Sequence, residues 1–400
     1  MKQHESLLTL AQTYQPQVCE WRRHLHRFPE TRWQEDASLE WVLEQIRTAK
    51  STFPWQQKTE FSGGLVIDML VDDKLPWRLF RADIDALPIQ EESGLPFSSE
   101  HPGLMHACGH DAHSAMLLAA FHAAQSGEVA PKHNVRWVWQ RAEENPQTPP
   151  VEESGGARLV REGVCDGMEF VHALHIWSDH PAGQFESYPG AMMASSGRIR
   201  IELKCQGGHA AMPHLGSNAL RIAYEICNAL EGFPALVLDP LENVTLEPTI
   251  LHAGTASNVR PSSAELCFSN RHFLTADATK DYQDQLEKRI RSVVEFYPDA
   301  RVEVLFTGGH PVTHNSKDDV HQVQTALSEA KQKVKIISPI FAGEDFAYYL
   351  QKVPGSLWFL GAHQPTTGSH HTPLFNPSEE VLWRGILFWL VLATTNNVVV

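Results

Sequence analysis

Apolar and polar positions along this 400-residue chain recur with two different periods, and the changes of period mark its elements. Residues 5–27 carry a helical pattern that runs into Phe28-Pro29, where a proline ring stops the helix. A second helical stretch covers Asp36 to Thr48. The period then shortens. Gly64–Leu70 and Trp77–Phe80 read as strands, with the turn signal Asp72-Asp73-Lys74 between them. A helix is expected through residues 115–120, and Val135–Trp139, rich in valine and tryptophan, reads as a buried strand. Another helix passes through Arg158-Leu159-Val160, and Val171–Trp177 is a further strand. Strands alternating with helices predict an α/β domain with a mostly parallel central sheet. In such sheets, functional groups collect at the carboxyl ends of the strands.

Near residue 190 the pattern changes. Gly197–Lys204 alternates cleanly, which reads as a half-exposed antiparallel strand. A helix over 218–230, strands near 244–250 and 264–270, a helix over 281–296 and a strand over 301–306 follow. These make a small α+β insert. The division expected is a main domain of residues 1–189 and 309–400 interrupted by an insert of residues 190–308. The apolar run Ile386–Ala393 is too short to span a bilayer and follows a helix start at Asn376-Pro377-Ser378, so it reads as a buried terminal helix.

Composition narrows the partners. A net charge of -15 argues against nucleic acid or an anionic membrane surface as the main partner. Six scattered cysteines without a CxxC pair read as reduced thiols, and with no apolar leader at the N-terminus the expected location is the cytoplasm. The 22 histidines raise the weight of metal or proton chemistry.

The candidate chemistry centres on His106-Ala107-Cys108-Gly109-His110-Asp111. A thiolate and an imidazole two residues apart can reach one metal ion from a tight loop. Alone, that spacing is balanced by the blander reading of an inert small cysteine and a helix-capping histidine. Asp111 can take a ring nitrogen of a neighbouring histidine or cap the following helix. His24 and His26, two apart on a helix, point away from each other, which favours structural roles. Asp83 and Asp85, Glu143 and Glu144, and His175 all fall at predicted strand ends. Taken together, Cys108, His110, Glu144, His175 and His371 form a nitrogen, oxygen and sulfur set that suits two divalent ions. Glu143 offers a base beside a ligand, since adjacent side chains at a strand end diverge.

These segments resemble the M20 metallopeptidase family, in its amidohydrolase branch of aminoacylase-like, hippurate-hydrolase-like and auxin-conjugate-hydrolase-like enzymes. The resemblance is carried in order by Arg23–Glu30, Arg81–Pro88, Met105–Asp111, Ala142-Glu143-Glu144, Leu174–Trp177, Gly208–His214, Gly254–Val259, Gly343–Phe346 and His371-Thr372-Pro373. It implies a zinc-peptidase-like catalytic domain with an inserted lid and dimerisation domain. It implies metal ligands at Cys108, His110, Glu144, His175 and His371, supported from behind by Asp85 and Asp111, and a general base at Glu143. The ions implied are zinc or manganese, with cobalt or nickel as further options. His209 would bind the reacting carbonyl, reaching the partner subunit's site in a homodimer, with Asn258 and Arg271 near the substrate's carbonyl or carboxylate. The reaction implied is hydrolysis of the amide of an N-acyl amino acid or similar small conjugate. A dipeptidase or carboxypeptidase, an N-acetyl-diaminopimelate-type deacetylase, and a non-catalytic binding protein are the alternatives.

Two departures stand out. Arg141 occupies a position where the family usually has proline, and residues 145–153 replace a Gly-rich continuation. Their prolines predict a stiff surface loop. This second stretch also creates a rival carboxylate pair, Glu152-Glu153, just before Ser154-Gly155-Gly156.

Overall fold

The computed structural model describes residues 2–144 and 153–395; the Pro-rich stretch 145–150 and Glu152 lie outside them. It divides into two compact units. The larger comprises Met1–Met192, Thr313–Ser338 and Asp345–Val400, and the smaller Met193–Val312 with Pro339–Glu344.

The chain opens with helices α1 (Lys2–Thr13), α2 (Gln15–Arg27) and α3 (Asp36–Thr48). The 5–27 pattern is thus two helices rather than one. Pro16, in the first turn of α2, has no N–H to continue the α1 ladder, so the chain restarts at Gln15. Strands β1 (Trp55–Gln57), β2 (Gly64–Met69) and β3 (Trp77–Asp83) follow, then α4 (His110–Gln125), β4 (Asn134–Gln140), α5 (Gly155–Arg161), β5 (Met168–Trp177), β6 (Gln184–Ser187) and β7 (Gly190–Met193). Next come β8 (Ser195–Lys204), β9 (Gly208–His209), α6 (Ala219–Leu230), α7 (Pro234–Val237), β10 (Val244–Ala253), β11 (Val259–Arg260), β12 (Ser263–His272), α8 (Ala276–Val294) and β13 (Arg301–Thr307). The last segment adds β14 (Thr313–Asn315), α9 (Lys317–Glu329), β15 (Lys333–Ile336), α10 (Ala347–Leu350), β16 (Gly355–Gly361) and α11 (Leu382–Thr394).

The larger unit is a mixed α/β structure around an eight-stranded sheet of order β1-β2-β4-β3-β5-β16-β6-β15. Its centre, β4-β3-β5-β16, is parallel, while β2 and β6 join it antiparallel. β4 and β16 are buried along their whole length, as central strands covered on both faces must be. Helix α4 is buried almost throughout and packs against α2 and α11, which explains why its middle, Ala115–Phe121, is apolar on every side. β16, with its apolar run Leu357–Leu360, is not among the strands read from the sequence.

The smaller unit is built on the antiparallel sheet β10-β12-β8-β13. Ile199, Ile201 and Leu203 of β8 turn inward, sharing one core with Ile222 and Ile226 of α6 and Leu286 and Ile290 of α8. Pro248 is tolerated in β10 because that strand is an edge and breaks register at Pro248/Ile250.

Candidate active site

At the carboxyl ends of the central strands, Gly109 makes the turn that leads into α4. It stands at φ 93°, and a Cβ there would fall 2.5 Å from Ile176 Cδ1. Only glycine fits that turn, and Cys108 and His110 flank it. Cys108 Sγ lies 3.5 Å from His175 Nε2. The other His175 nitrogen, Nδ1, is 2.6 Å from the Ile176 carbonyl and donates to it, which leaves Nε2 with its lone pair toward the thiol. His110 repeats the arrangement. Its Nδ1 pairs with Asp85 Oδ1 at 3.1 Å, and its buried Nε2 has no hydrogen-bond partner. Asp85 Oδ2 accepts the Glu144 N–H at 2.9 Å, so one carboxylate orients both residues. His371 donates its backbone N–H to Ala107 at 2.8 Å, and its Nε2 lies 2.9 Å from Glu144 Oε1.

The potential ligand atoms fall into overlapping groups, each within 4.8 Å: Cys108, His110 and His175; Cys108, Glu144 and His371; His110, Glu143 and Glu144. Cys108 belongs to two groups. A shared thiolate with histidine and carboxylate partners on either side is a donor set that fits two divalent cations. The electrostatics point the same way. Burial, then Glu144 and Glu143, push the Cys108 thiol well above its ordinary value. Burial opposes protonation of His110, but Asp83, Asp85 and Glu144 overcome it and raise its pKa to about 10. A site this rich in buried acceptors favours positive charge.

Glu143 and Glu144 follow a backbone turn held from several sides. Ala142, between β4 and the pair, sits at φ 49°, a left-handed conformation costing roughly 1–2 kcal/mol for a residue with a Cβ. Its N–H donates to Glu35 Oε1 at 2.9 Å, and its carbonyl accepts the Gly155 N–H at 3.1 Å. Gly155 packs so closely that a Cβ would meet the Arg141 carbonyl at 1.8 Å. The Asp345 N–H reaches Glu143 Oε1 at 3.4 Å. The Asp345 carboxylate is in turn fixed by Arg81 Nη2 at 2.6 Å, Gln140 Nε2 at 2.7 Å and the Gly156 N–H at 2.9 Å. Arg81 also donates to Asp83 Oδ2 at 2.7 Å. The rival pair is different: Glu153 faces Arg158 at 2.8 Å and Arg161 at 2.9 Å, in a half-exposed setting.

The structure therefore brings Cys108, His110, Glu143, Glu144, His175 and His371 together. Asp111 is not among them. It accepts from Arg22 Nε at 3.0 Å and pairs with His26 Nδ1 at 2.8 Å, which ties α4 to α2. His24 stacks on Trp41 at 4.2 Å between ring centroids. His113 had no assigned role in the sequence. Its Nδ1 meets Asp83 at 2.6 Å, while Nε2 accepts the Ile176 N–H at 2.8 Å, which locks the strand end beside His175. Its one sequence signal is the three-residue spacing from His110 on a helix. Arg81, Asp345 and Glu35 likewise emerge only in three dimensions.

Within the smaller unit, His209 is exposed and pairs in register with Val259. Its Nδ1 accepts the Ala211 N–H at 3.1 Å. The Asn258 carbonyl accepts the Ala210 N–H at 3.0 Å, so Asn258, just before β11, lies beside the end of β9 that carries His209. Buried Arg260 donates to the carbonyls of Gly207, Pro213, Leu215 and Gly216 and holds the His209 loop in shape. Arg271 Nη1 donates to the Phe341 carbonyl at 3.0 Å.

Comparison with known proteins adds the following. The profile of Peptidase family M20/M25/M40 matches residues 79–395. N-acetyl-L-cysteine deacetylase of Bacillus subtilis (strain 168) is 31% identical over 381 residues, covering 94% of this chain and 87% of the relative. Thermostable carboxypeptidase 1 of Saccharolobus solfataricus is 31% identical over 387 residues, covering 94% of each. The crystal structure of the Bacillus subtilis YXEP protein, described as a dinuclear metal binding peptidase from the M20 family, superposes with a TM-score of 0.80. It is 25% identical and covers 96% of this chain and 98% of that one.

Proposed function

The chain belongs to Peptidase family M20/M25/M40 and is an amide-bond hydrolase, and from that premise we propose that it removes the acyl group from a small N-acyl amino acid. The observation that supports this reading most is Glu143, a buried carboxylate with an oxygen within 4.8 Å of the His110 and Glu144 ligand atoms. Binding alone needs no base next to a ligand set. Two divalent ions held by those five residues, with zinc or manganese expected first, would supply an activated water and polarise the carbonyl, the water's pKa falling to roughly 7 with zinc.

The protein's own groups do the rest. Asp85 keeps the His110 ring and the Glu144 backbone in their ligating poses. The Glu143 carboxylate takes a proton from the attacking water and delivers it to the amide nitrogen as the C–N bond breaks. Oxygen is thereby added to the acyl carbon, and the amine leaves neutral. The His209 ring donates to the developing oxyanion, a contribution of about 3 kcal/mol in comparable sites. It does so on the partner's site in a homodimer formed through the smaller unit, which acts as the lid. Asn258 and Arg271 receive the substrate's carbonyl and carboxylate. The six cysteines, all free, fit a reducing compartment such as the cytoplasm. Among the described residues no helix is long and apolar enough to cross a membrane.

A carboxypeptidase reading rests on the equal similarity to the archaeal relative. The test is elemental analysis of purified protein followed by a panel of N-acetyl and N-benzoyl amino acids, N-acetyl-diaminopimelate and dipeptides. Preference for acyl amino acids supports the proposal. Hydrolysis of dipeptides alone gives the second reading, and metal-free protein with no hydrolysis defeats both.

A further inference from the structure

A carboxylate buried away from water needs a reason, because burial penalises its charge. Glu35 is fully buried, in the segment just before α3. Its side chain does not cap that helix. One oxygen, Oε1, accepts the Ala142 N–H at 2.9 Å. The other, Oε2, has no hydrogen-bond partner and lies 3.8 Å from Arg141 Nη1. Arg141 is itself drawn toward Asp36. Glu35 thus reaches out of its own element to the single residue, Ala142, that adopts a left-handed backbone immediately before Glu143.

That turn decides where the Glu143 carboxylate points. After Ala142 the chain presents the Glu143 carboxylate to the Asp345 N–H and the Glu144 N–H to Asp85. A relaxed, right-handed Ala142 would turn the Glu143 carboxylate away, while the Glu144 N–H stays tied to Asp85. We propose that Glu35 is a positioning residue for Glu143, holding the Ala142 N–H so that the strained turn keeps the base carboxylate aimed at the reacting water. The inference rests on the reading of Glu143 as the base. Burial, then Asp85, raises the Glu35 pKa to about 8. Both the ionised and the neutral acid accept at Oε1, so glutamine is the conservative replacement.

The experiment compares kcat, KM and bound metal for Glu35→Ala, Glu35→Gln, Ala142→Gly and the double variant Glu35→Ala/Ala142→Gly, on the best substrate of the panel above. Glu35→Ala is expected to lower kcat by about tenfold to a hundredfold while KM and metal content stay within about twofold, because the misplaced group acts on the water and not on substrate or ions. Glu35→Gln should restore most of kcat. The double variant should exceed Glu35→Ala, since glycine enters the left-handed region without strain and no longer needs the clamp. If Glu35→Ala is too unstable to purify, the double variant carries the comparison with Ala142→Gly, which should itself stay within about twofold of the parent protein.

The inference is overturned by normal kcat in Glu35→Ala, or by loss of metal in parallel with kcat. It is equally overturned by an unimproved double variant, or by a tenfold fall in Ala142→Gly with Glu35 intact. Glu143→Gln runs alongside. If that variant stays active, the base assignment has failed; if it is inactive while Glu35→Ala is normal, only the positioning role has.

Discussion

Glu143 and Glu144 are neighbours in sequence but meet different partners, and their replacement should separate base from ligand. Glu143→Gln is expected to keep the fold and the bound metal while kcat falls by about 10²–10⁴, because only the proton acceptor is lost. Glu144→Gln should lose metal as well, since its Oε1 faces His371 within the ligand set. Glu153→Gln should barely change rates, because its pairs with Arg158 and Arg161 are partly solvated and such pairs contribute ~0–1 kcal/mol. Rates and metal content measured on the same preparations decide this, and an inactive Glu153→Gln beside an active Glu143→Gln would invert the assignment. A thiolate shared by cations is also shielded. Mapping alkylation in holo and chelated protein should show Cys108 labelled mainly after chelation; equal labelling would remove it from the ligand set. Cys108 and His110 stand out by their two-residue spacing, while Glu144, His175 and His371, far apart in sequence, are singled out through the family resemblance. The groups that hold them are not so marked. Arg81 and Asp345 form a buried pair across 264 positions of sequence, and although each lies in a segment that carries the resemblance, nothing local says that the two meet.

Between elements, buried charges act as pins, and two of them make measurable predictions. Arg81 extends from β3 to Asp83 and to Asp345, joining the strand to the turn under Glu143. Arg81→Met leaves Asp345 buried without its cation and Asp83 with histidine partners alone, and should destabilise the protein by about 3–5 kcal/mol in urea unfolding. An effect below 1 kcal/mol would mean that the pair is solvated in solution. The second pin ties α2 to the segment before α4 through His26 and Glu91, 3.3 Å apart. Burial would raise the Glu91 pKa, but His26, Ser93 and the Ser99 N–H lower it from 4.5 to about 2. A depressed carboxylate contributes its stability fully above the unfolded value and loses it as pH falls through the folded one. Glu91→Gln should therefore melt below the parent protein at pH 6, and the gap should close between about pH 4.5 and 2. A gap that persists at pH 2 would show that the difference is packing rather than charge. At this scale the long elements were legible: α3 begins and ends where its periodicity does, and β8 alternates as read. The misses have physical causes. The break at Tyr14 follows from one proline, and β1, β6, β7, β14 and β15 are at most four residues long, too short for any period to declare itself.

The pattern changes from buried runs to clean alternation near residue 190, and the smaller unit carries the four-stranded antiparallel sheet β10-β12-β8-β13. The grouping of Pro339–Glu344 with that unit had no such signal. It comes from non-local bonds, Ala194 N–H to the Ile340 carbonyl and Arg271 to the Phe341 carbonyl. The consequence for the whole molecule concerns His209. It is exposed, it lies in the smaller unit, and its loop is braced from within that unit by Arg260. If it completes the partner's site in a homodimer, two variants that are each inactive should repair one another. Glu143→Gln supplies an intact His209, and His209→Ala supplies an intact Glu143. Mixed in equal amounts, unfolded and refolded together, half of the dimers carry one of each, and each of those has one complete site. Activity should then return to about a quarter of that of the parent protein, the limit set by random pairing in a symmetric dimer. The measurement needs the mixed dimer verified by native mass spectrometry with one subunit mass-tagged. Verified mixed dimers without activity would place His209 in service of its own chain, and a monomer at assay concentration would rule out the shared site altogether.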